Sequence, residues 1–290
     1  MDTTELLKKV RKLEIKTKDL TKHIFSGEYH SAFKGRGMAF SEVRDYHYGD
    51  DVRNIDWNVT ARTGSPHIKV FDEERELTVM LLIDVSASVY FGTTTAFKSE
   101  IITEIAAVLS FSALTNNDKV GAILFSDQIE KYLPPKKGKQ NILRLIRELI
   151  HFTPSQQKTD ISEALMFLNN TQKKRSITFI MSDFMADNYG QALTIAAKKH
   201  DIIGLKVYDQ REQTLPDAGL INVIDEETGK MRIIDTSNPY MRAAYAKHFL
   251  VSNENFSKNF ASAKSDTITI STDDDYVMAL QVFFKRRAKR

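Results

Sequence analysis

Asp84-Val-Ser-Ala-Ser88 places one carboxylate and two hydroxyls at alternate positions of a short loop. Oxygen atoms spaced in this way can converge on one point, and hard donors of that kind suit Mg²⁺, with Mn²⁺ and Ca²⁺ as competitors. The pentapeptide alone is a weak signal, because Ser and Asp after a strand also cap the helix that follows. Two further loops strengthen it. Asp183 stands directly after the apolar run 177–181 and Ser182, and Thr159 lies in the polar stretch Ser155-Gln-Gln-Lys-Thr-Asp160 that opens another helix. Three loops thus offer oxygen ligands, and the candidate metal set is Asp84, Ser86, Ser88, Thr159 and Asp183.

Catalytic readings fare worse on the same residues. A phosphatase with an aspartate nucleophile wants a second aspartate two residues later as acid and base, and Ser86 occupies that position. A serine hydrolase wants small residues around its nucleophile and an activating histidine; Asp-Val-Ser-Ala-Ser has no glycine elbow, and no motif pairs any of the seven histidines with it. No phosphate-cradling G-x-x-x-x-G-K-[ST] occurs. With no cysteine, thiolate metal sites, thiol nucleophiles and disulfides are excluded, and His30 and His47 are too loosely placed to argue for zinc. A non-enzymatic protein is expected. The alternatives are a Mg²⁺-dependent phosphohydrolase using Asp84 and Asp183, or a scaffold without metal.

The elements that must position these residues alternate regularly. The run Leu77-Thr-Val-Met-Leu-Leu-Ile83 is apolar throughout, as in a strand buried on both faces of a parallel sheet. A helix over 97–114 follows, then strands over 120–125 and 129–133, helices over 141–151 and 161–168, and a strand over 177–181. A helix over 191–199 and a strand over 202–207 continue the pattern. Such repetition predicts a doubly wound, mostly parallel sheet, whose ligand sites lie at the carboxyl edge where Asp84 and Asp183 fall. A hairpin over 221–224 and 231–234 comes next, then a helix with Tyr245, Phe249, Phe256 and Phe260 on one side. A strand over 267–270 leads to a last helix from Asp273, with Thr272 and Asp275 as its capping pair and a Lys/Arg cluster at its negative end. All six prolines are expected in loops.

Residues 77–290 form the main domain in this reading, and 1–76 an N-terminal extension. Leu6, Val10, Leu13, Thr17, Leu20 and Ile24 keep helical spacing opposite Lys8, Lys9, Lys12 and Lys16, so the chain opens on an amphipathic helix. It is expected to pack on the chain's own body, with a partner helix or an anionic membrane surface as the alternative. Residues 44–62 alternate Arg, Asp, aromatic and Gly densely enough for a self-satisfied ion network, and Trp57, the only tryptophan, is expected to anchor the extension.

Composition sets the outer bounds. The 290 residues are 42% hydrophobic and 27% charged, which suits a globular domain and excludes disorder and coiled-coil rods. The net charge of +3 belongs to the tail: without Lys285, Arg286, Arg287, Lys289 and Arg290, 36 basic residues face 38 acidic ones. No general field for nucleic acid remains, and no nucleic-acid partner is expected. The first residues mix charge into every turn and lack the apolar core of a secretory signal, and no stretch reaches the roughly 18 apolar residues of a membrane span; a bacterial-type cytoplasmic protein is expected.

Asp84, Ser86 and Ser88, the later Thr159, and Asp183 after an apolar strand together resemble the metal-ion-dependent adhesion site of von Willebrand factor A domains. The likeness extends to Arg44-Asp-Tyr, Gly49-Asp50, Arg53-Asn-Ile-Asp-Trp57, Ala61-Arg62, Ser271-Thr-Asp-Asp-Asp275 and Phe283-Phe284-Lys-Arg-Arg287. That set resembles the bacterial family called domain of unknown function 58, whose genes commonly neighbour those of MoxR-type AAA+ ATPases. The resemblance covers nearly the whole chain. It implies strand order 3-2-1-4-5-6, with Asp84 and Asp183 flanking the crevice between the first and fourth strands. It also implies a divalent cation, most simply Mg²⁺, held by the two serines, the threonine and the aspartates, with one position left for an acidic residue of a protein partner. A MoxR-type ATPase is the implied co-worker. Val89 departs from the family pattern, where many relatives carry methionine, outside the implied ligand set.

Overall fold

The computed structural model describes residues 14, 39–72, 77–90, 97–152, 158–224 and 231–289. The amphipathic helix expected over 6–24 lies outside these apart from Glu14, as does the turn of the expected hairpin. The chain divides into two compact units, residues 33–76 and the remainder.

The smaller unit is an antiparallel pair, β1 (Ala39–Asp45) and β2 (His67–Asp72), bridged by a 3₁₀ turn (Val52–Asn54) and a short helix α1 (Trp57–Thr63). Asp56 caps α1 by accepting from the Asn58 and Val59 amides, and Gly64 ends it at φ 77°, a left-handed conformation that costs glycine little. Its charges pair locally: the Arg44 guanidinium grips both Asp50 oxygens at 2.9 and 3.0 Å, Arg53 pairs with Asp51, and Lys69 with Asp56. Trp57 is not the buried anchor expected from sequence. It is the first residue of α1 and is 70% exposed.

The larger unit is a three-layer α/β/α sandwich. Its strands are β3 (Thr78–Asp84), β4 (Lys119–Phe125), β5 (Ile129–Lys136), β6 (Ile177–Ser182), β7 (Asp201–Tyr208) and β10 (Asp266–Ser271), ordered β5-β4-β3-β6-β7-β10. Only β5 runs antiparallel to its neighbour. Counted along the sheet's own strands, this is order 3-2-1-4-5-6, the doubly wound von Willebrand factor A arrangement, with the first and fourth strands side by side. Two elements correct the sequence reading. Pro134 and Pro135 belong to β5 rather than to a loop, which an edge strand permits because its outward amides need no partner. Pro239 is the first residue of a helix, where the missing N–H costs nothing.

Strand alternation assigns the two helical layers. Met80, Leu82, Ile123, Phe125 and Ile180 point to one face, against α4 (Ile161–Thr171), α5 (Gly190–Ala197) and the long α7 (Pro239–Ser262). The other face carries α2 (Lys98–Thr115), α3 (Lys139–His151) and α8 (Tyr276–Ala288), with Tyr276 near Glu104 of α2. Helix α2 is buried on nearly every side from Ile101 to Ala113, whereas α3 buries only Ile142, Leu145, Ile146 and Leu149, the stripe of a half-exposed helix. Phe249, Phe256 and Phe260 of α7 are buried, as their spacing predicts. The last helix begins three residues later than the expected capping pair implies: Asp275 caps it, while the Thr272 hydroxyl donates to Asp209 instead.

A one-turn helix α6 (Gln210–Gln213) after β7 was not legible in sequence, and β8 (Leu220–Ile224) pairs with β9 (Met231–Asp235) as the expected hairpin. Among the described residues, no helix is long and apolar enough to cross a membrane.

Candidate functional site

The strand order reverses between the parallel neighbours β3 and β6, and that switch point builds the site. Both strands are buried along their length and end at the same edge, with Ile83 in register with Met181, so Asp84 and Ser182 emerge side by side. Beyond Asp84 the chain stays tied to the sheet, since the Val85 amide donates to the Phe125 carbonyl at 2.9 Å. It then enters a 3₁₀ turn (Ala87–Tyr90), which brings the Ser86 and Ser88 hydroxyls to 3.2 Å.

Asp84 is 1% exposed, and both its oxygens are held: Oδ1 accepts from the Ser86 amide at 2.9 Å, and Oδ2 from the Ser182 hydroxyl at 2.6 Å. Asp183, on the opposite strand face, accepts from the Met185 amide at 3.2 Å and from the Ser88 hydroxyl. Phe184 follows at φ 52°, a left-handed conformation unusual for a bulky side chain, with its amide donating to Ser182 Oγ at 3.1 Å. Asp84, Ser86, Ser88 and Asp183 are therefore brought into one hydrogen-bonded group. Thr159 comes to the same edge by its neighbour: the Asp160 amide donates to the Ser126 carbonyl, one residue past the end of β4. Thr159 itself makes no hydrogen bond to the other four among the described residues.

The site contains charges that the sequence reading passed over. Lys98, the first residue of α2, is fully buried, with its Nζ 2.9 Å from Asp183 and 2.5 Å from Glu212 of α6. Burial pushes the Asp84 carboxyl up to about 6, and the neighbouring Asp183 charge adds to the rise. Burial would raise Asp183 too, but the Lys98 ammonium outweighs it and holds this carboxyl below the usual range. Burial likewise works against charged Lys98, and the two carboxylates overcome it, so the ammonium stays protonated. Glu212 moves upward because burial exceeds its attraction to Lys98. Burial lowers Lys206 of β7, in register with Ser182, to about 8, against the attraction of Asp183 and Glu212; among the described residues its buried Nζ has no hydrogen-bond partner, and it lies over the Phe249 and Phe256 rings, 5.2 and 5.7 Å from their centroids.

Two of these residues carried a sequence signal. Lys206 interrupts an apolar strand, and a strand buried on both faces has no solvent to offer a lysine. Lys98 puts a cation in the first turn of a helix, where the dipole favours anions. Ser182 and Glu212 carried none, since each acts through a contact distant in sequence.

The donor set fits a hard divalent cation: two adjacent hydroxyls lie between two carboxylates, and every candidate ligand atom is oxygen. No three His, Cys, Asp or Glu side chains cluster as a metal group among the described residues. The candidate site holds only two carboxylates and takes its remaining donors from Ser and Thr.

Among known proteins, the uncharacterized protein Rv1480 of Mycobacterium tuberculosis and the uncharacterized protein Mb1516 of Mycobacterium bovis are each 27% identical to the chain, over 100% of its length and 92% of theirs. Among solved structures, the conserved hypothetical protein BatB from Bacteroides thetaiotaomicron is similar over 74% of this chain and 100% of its own, with 18% identity and a TM-score of 0.49. The SpRpn10 VWA domain is similar over 72% of this chain and 94% of its own, with 12% identity and a TM-score of 0.38. The fold assignment stands on the strand order. The family described as protein of unknown function DUF58 matches residues 42–255, from the smaller unit through five of the six sheet strands into α7. With most of its length inside that match, the chain belongs to the DUF58 family.

Proposed function

We propose that the chain is a non-enzymatic, divalent-cation-dependent protein-interaction module, an adaptor or co-chaperone that works with a MoxR-type AAA+ ATPase in assembling or remodelling another complex. The observation that carries this reading is the pair of Ser86 and Ser88 hydroxyls, 3.2 Å apart between Asp84 and Asp183 at the carboxyl edge of the sheet. Asp84, Ser86, Ser88, Thr159 and Asp183 would hold the cation, Mg²⁺ before Mn²⁺ or Ca²⁺. When bound, it would supply a Lewis-acidic seat for a carboxylate of the partner, because neutral hydroxyls leave much of its charge uncompensated.

Ser86 supports the non-enzymatic side of the reading: an aspartate nucleophile wants a second carboxylate two residues on as acid and base, and a serine stands there. The ATPase partnership rests on the family resemblance.

The test is a pull-down from the native organism with and without chelator, comparing wild type with Ser86→Ala/Ser88→Ala. Partners recovered with Mg²⁺ should disappear both with chelator and with the variant. A partner set indifferent to both changes overturns the proposal.

A further inference from the structure

A fully buried ammonium seated on a candidate metal ligand needs a reason. Lys98 Nζ is 2.9 Å from Asp183 Oδ2, and it lies at the N-terminus of α2, where the helix dipole opposes a positive charge. It is also 2.5 Å from Glu212 Oε1. Glu212 is a fixed acceptor, because its other oxygen receives the Asp209 amide at 2.9 Å in the capping box of α6. Among the described residues Lys98 therefore has these two carboxylate seats, one belonging to the candidate cation site and one outside it.

We propose that Lys98 is a tethered competitor of the divalent cation: it occupies Asp183, and Glu212 offers the alternative seat that lets Asp183 be given up. This rests on the cation reading above and adds to it the residues that set affinity. Any ion that takes Asp183 as ligand must share that carboxylate with a positive charge that cannot escape to solvent. Like charges at such range repel strongly in a poorly solvated site, so the ion binds only as far as Lys98 can lean toward Glu212. Affinity is thereby held down, which suits a site that must exchange its ion and its partner. Lys206 is kept in every variant; its ammonium lies over Phe249 and Phe256 and is attracted by Asp183 and Glu212 and repelled by Lys98.

The competition predicts opposite signs for two substitutions. In Glu212→Gln, Lys98 loses its alternative seat and settles on Asp183, so the cation should bind at least threefold more weakly than in wild type. In Lys98→Met/Glu212→Gln, one charge of each sign is removed, the net charge is unchanged and Asp183 is released, so binding should tighten at least tenfold. The measurement is Mn²⁺ titration of the full chain, read by loss of the free-ion electron paramagnetic resonance signal, with Mg²⁺ calorimetry alongside. Circular dichroism checks folding, and Lys98→Gln/Glu212→Gln takes the place of a double variant that does not fold. Ser86→Ala/Ser88→Ala added to the double variant should abolish binding; retained binding places the ion elsewhere and overturns the proposal. Equal affinity in wild type and double variant, or a change of the same sign in both, overturns the competition and leaves the cation reading standing. No uptake of Mn²⁺ or Mg²⁺ by any form at millimolar concentration overturns the cation reading itself, and the competition with it.

Discussion

Replacing Lys98 by methionine should destabilise the chain more than any surface substitution, and the size follows from its two partners. At 2.9 and 2.5 Å, with an effective dielectric near 20, each attraction amounts to about 6 kcal/mol before desolvation. Removing water from the three ions offsets most of that, so the intact cluster contributes little beyond a well-packed apolar equivalent. The asymmetry appears when one member is lost. Lys98→Met leaves Asp183 and Glu212 buried near Asp84 with, among the described residues, only the unbonded Lys206 ammonium to attract them, and breaking a buried pair in this way costs about 3–5 kcal/mol. Methionine retains most of the stem volume, so the loss is electrostatic rather than a cavity. Urea denaturation in the presence of EDTA measures it: with a slope of about 3 kcal/mol per molar, the midpoint should fall by at least about 1 M. The triple variant Lys98→Met/Asp183→Asn/Glu212→Gln removes all three charges and should recover most of the loss. A single variant within 1 kcal/mol of wild type, or a triple variant no more stable than the single, would show that the ammonium does not neutralise these carboxylates.

Two further outcomes follow from buried groups away from the site. The His200 Nδ1 accepts from the Ser176 amide at 3.2 Å and lies 2.9 Å from the Ser176 hydroxyl, which in turn faces Thr178, so the ring proton resides on Nε2. Burial, with Lys199 and Arg175 nearby, holds the imidazole down at about 4 against an ordinary 6.5, so the unfolded chain binds the proton more readily; stability from this group is complete above pH 6.5 and declines as pH falls toward 4. The His200 share of the loss between pH 7 and pH 5 is about 2 kcal/mol, measured as the difference between wild type and His200→Gln, because Asp84, raised to about 6, shifts stability in the opposite direction on acidification; identical pH dependence in the two proteins would refute it. Gly204→Ala should cost about 1–3 kcal/mol, because a Cβ there runs into the Phe260 ring and approaches Phe256 to 3.0 Å. An unchanged urea midpoint would show that α7 can move off β7.

The sheet was legible because its strands are short apolar runs set between helical periods, and 77–83, 177–181 and 202–207 differ from β3, β6 and β7 by only one or two residues at their ends. The carboxyl-edge positions of Asp84 and Asp183 followed from those strands. Their immediate partners did not. The Ser182 hydroxyl reaches Asp84 across 98 positions and Lys98 reaches Glu212 across 114, so no local pattern records either contact. Pro134 and Pro135 misled for a different reason: proline is a loop residue by local preference, and only the order of the sheet reveals that their strand lies at an edge. The exposure of Trp57 is a similar case, since large aromatic residues are usually buried and its position at the start of α1 overrides that average.

The loop after β6 also explains why the C-terminal elements matter to a site built on β3 and β6. Phe184, next to Asp183, holds a left-handed backbone that a bulky residue adopts at a cost of about 1–3 kcal/mol, so its surroundings must over-determine it. They do so from two helices. The Phe184 ring packs 4.5 and 5.5 Å from Phe256 and Phe260 of α7, and 5.8 Å from Tyr189 at the start of α5, while the Ser252 hydroxyl of α7 donates to the Phe184 carbonyl at 3.1 Å. Backbone and ring are thus fixed together, and with them the turn that directs Asp183 toward Ser88 and Lys98. Glu212 reaches the same cluster from α6, which packs on α7. A displacement of α7 would therefore act on Asp183 through Phe184 and on Lys98 through Glu212. Those are the two contacts that decide how much negative charge Asp183 has to offer.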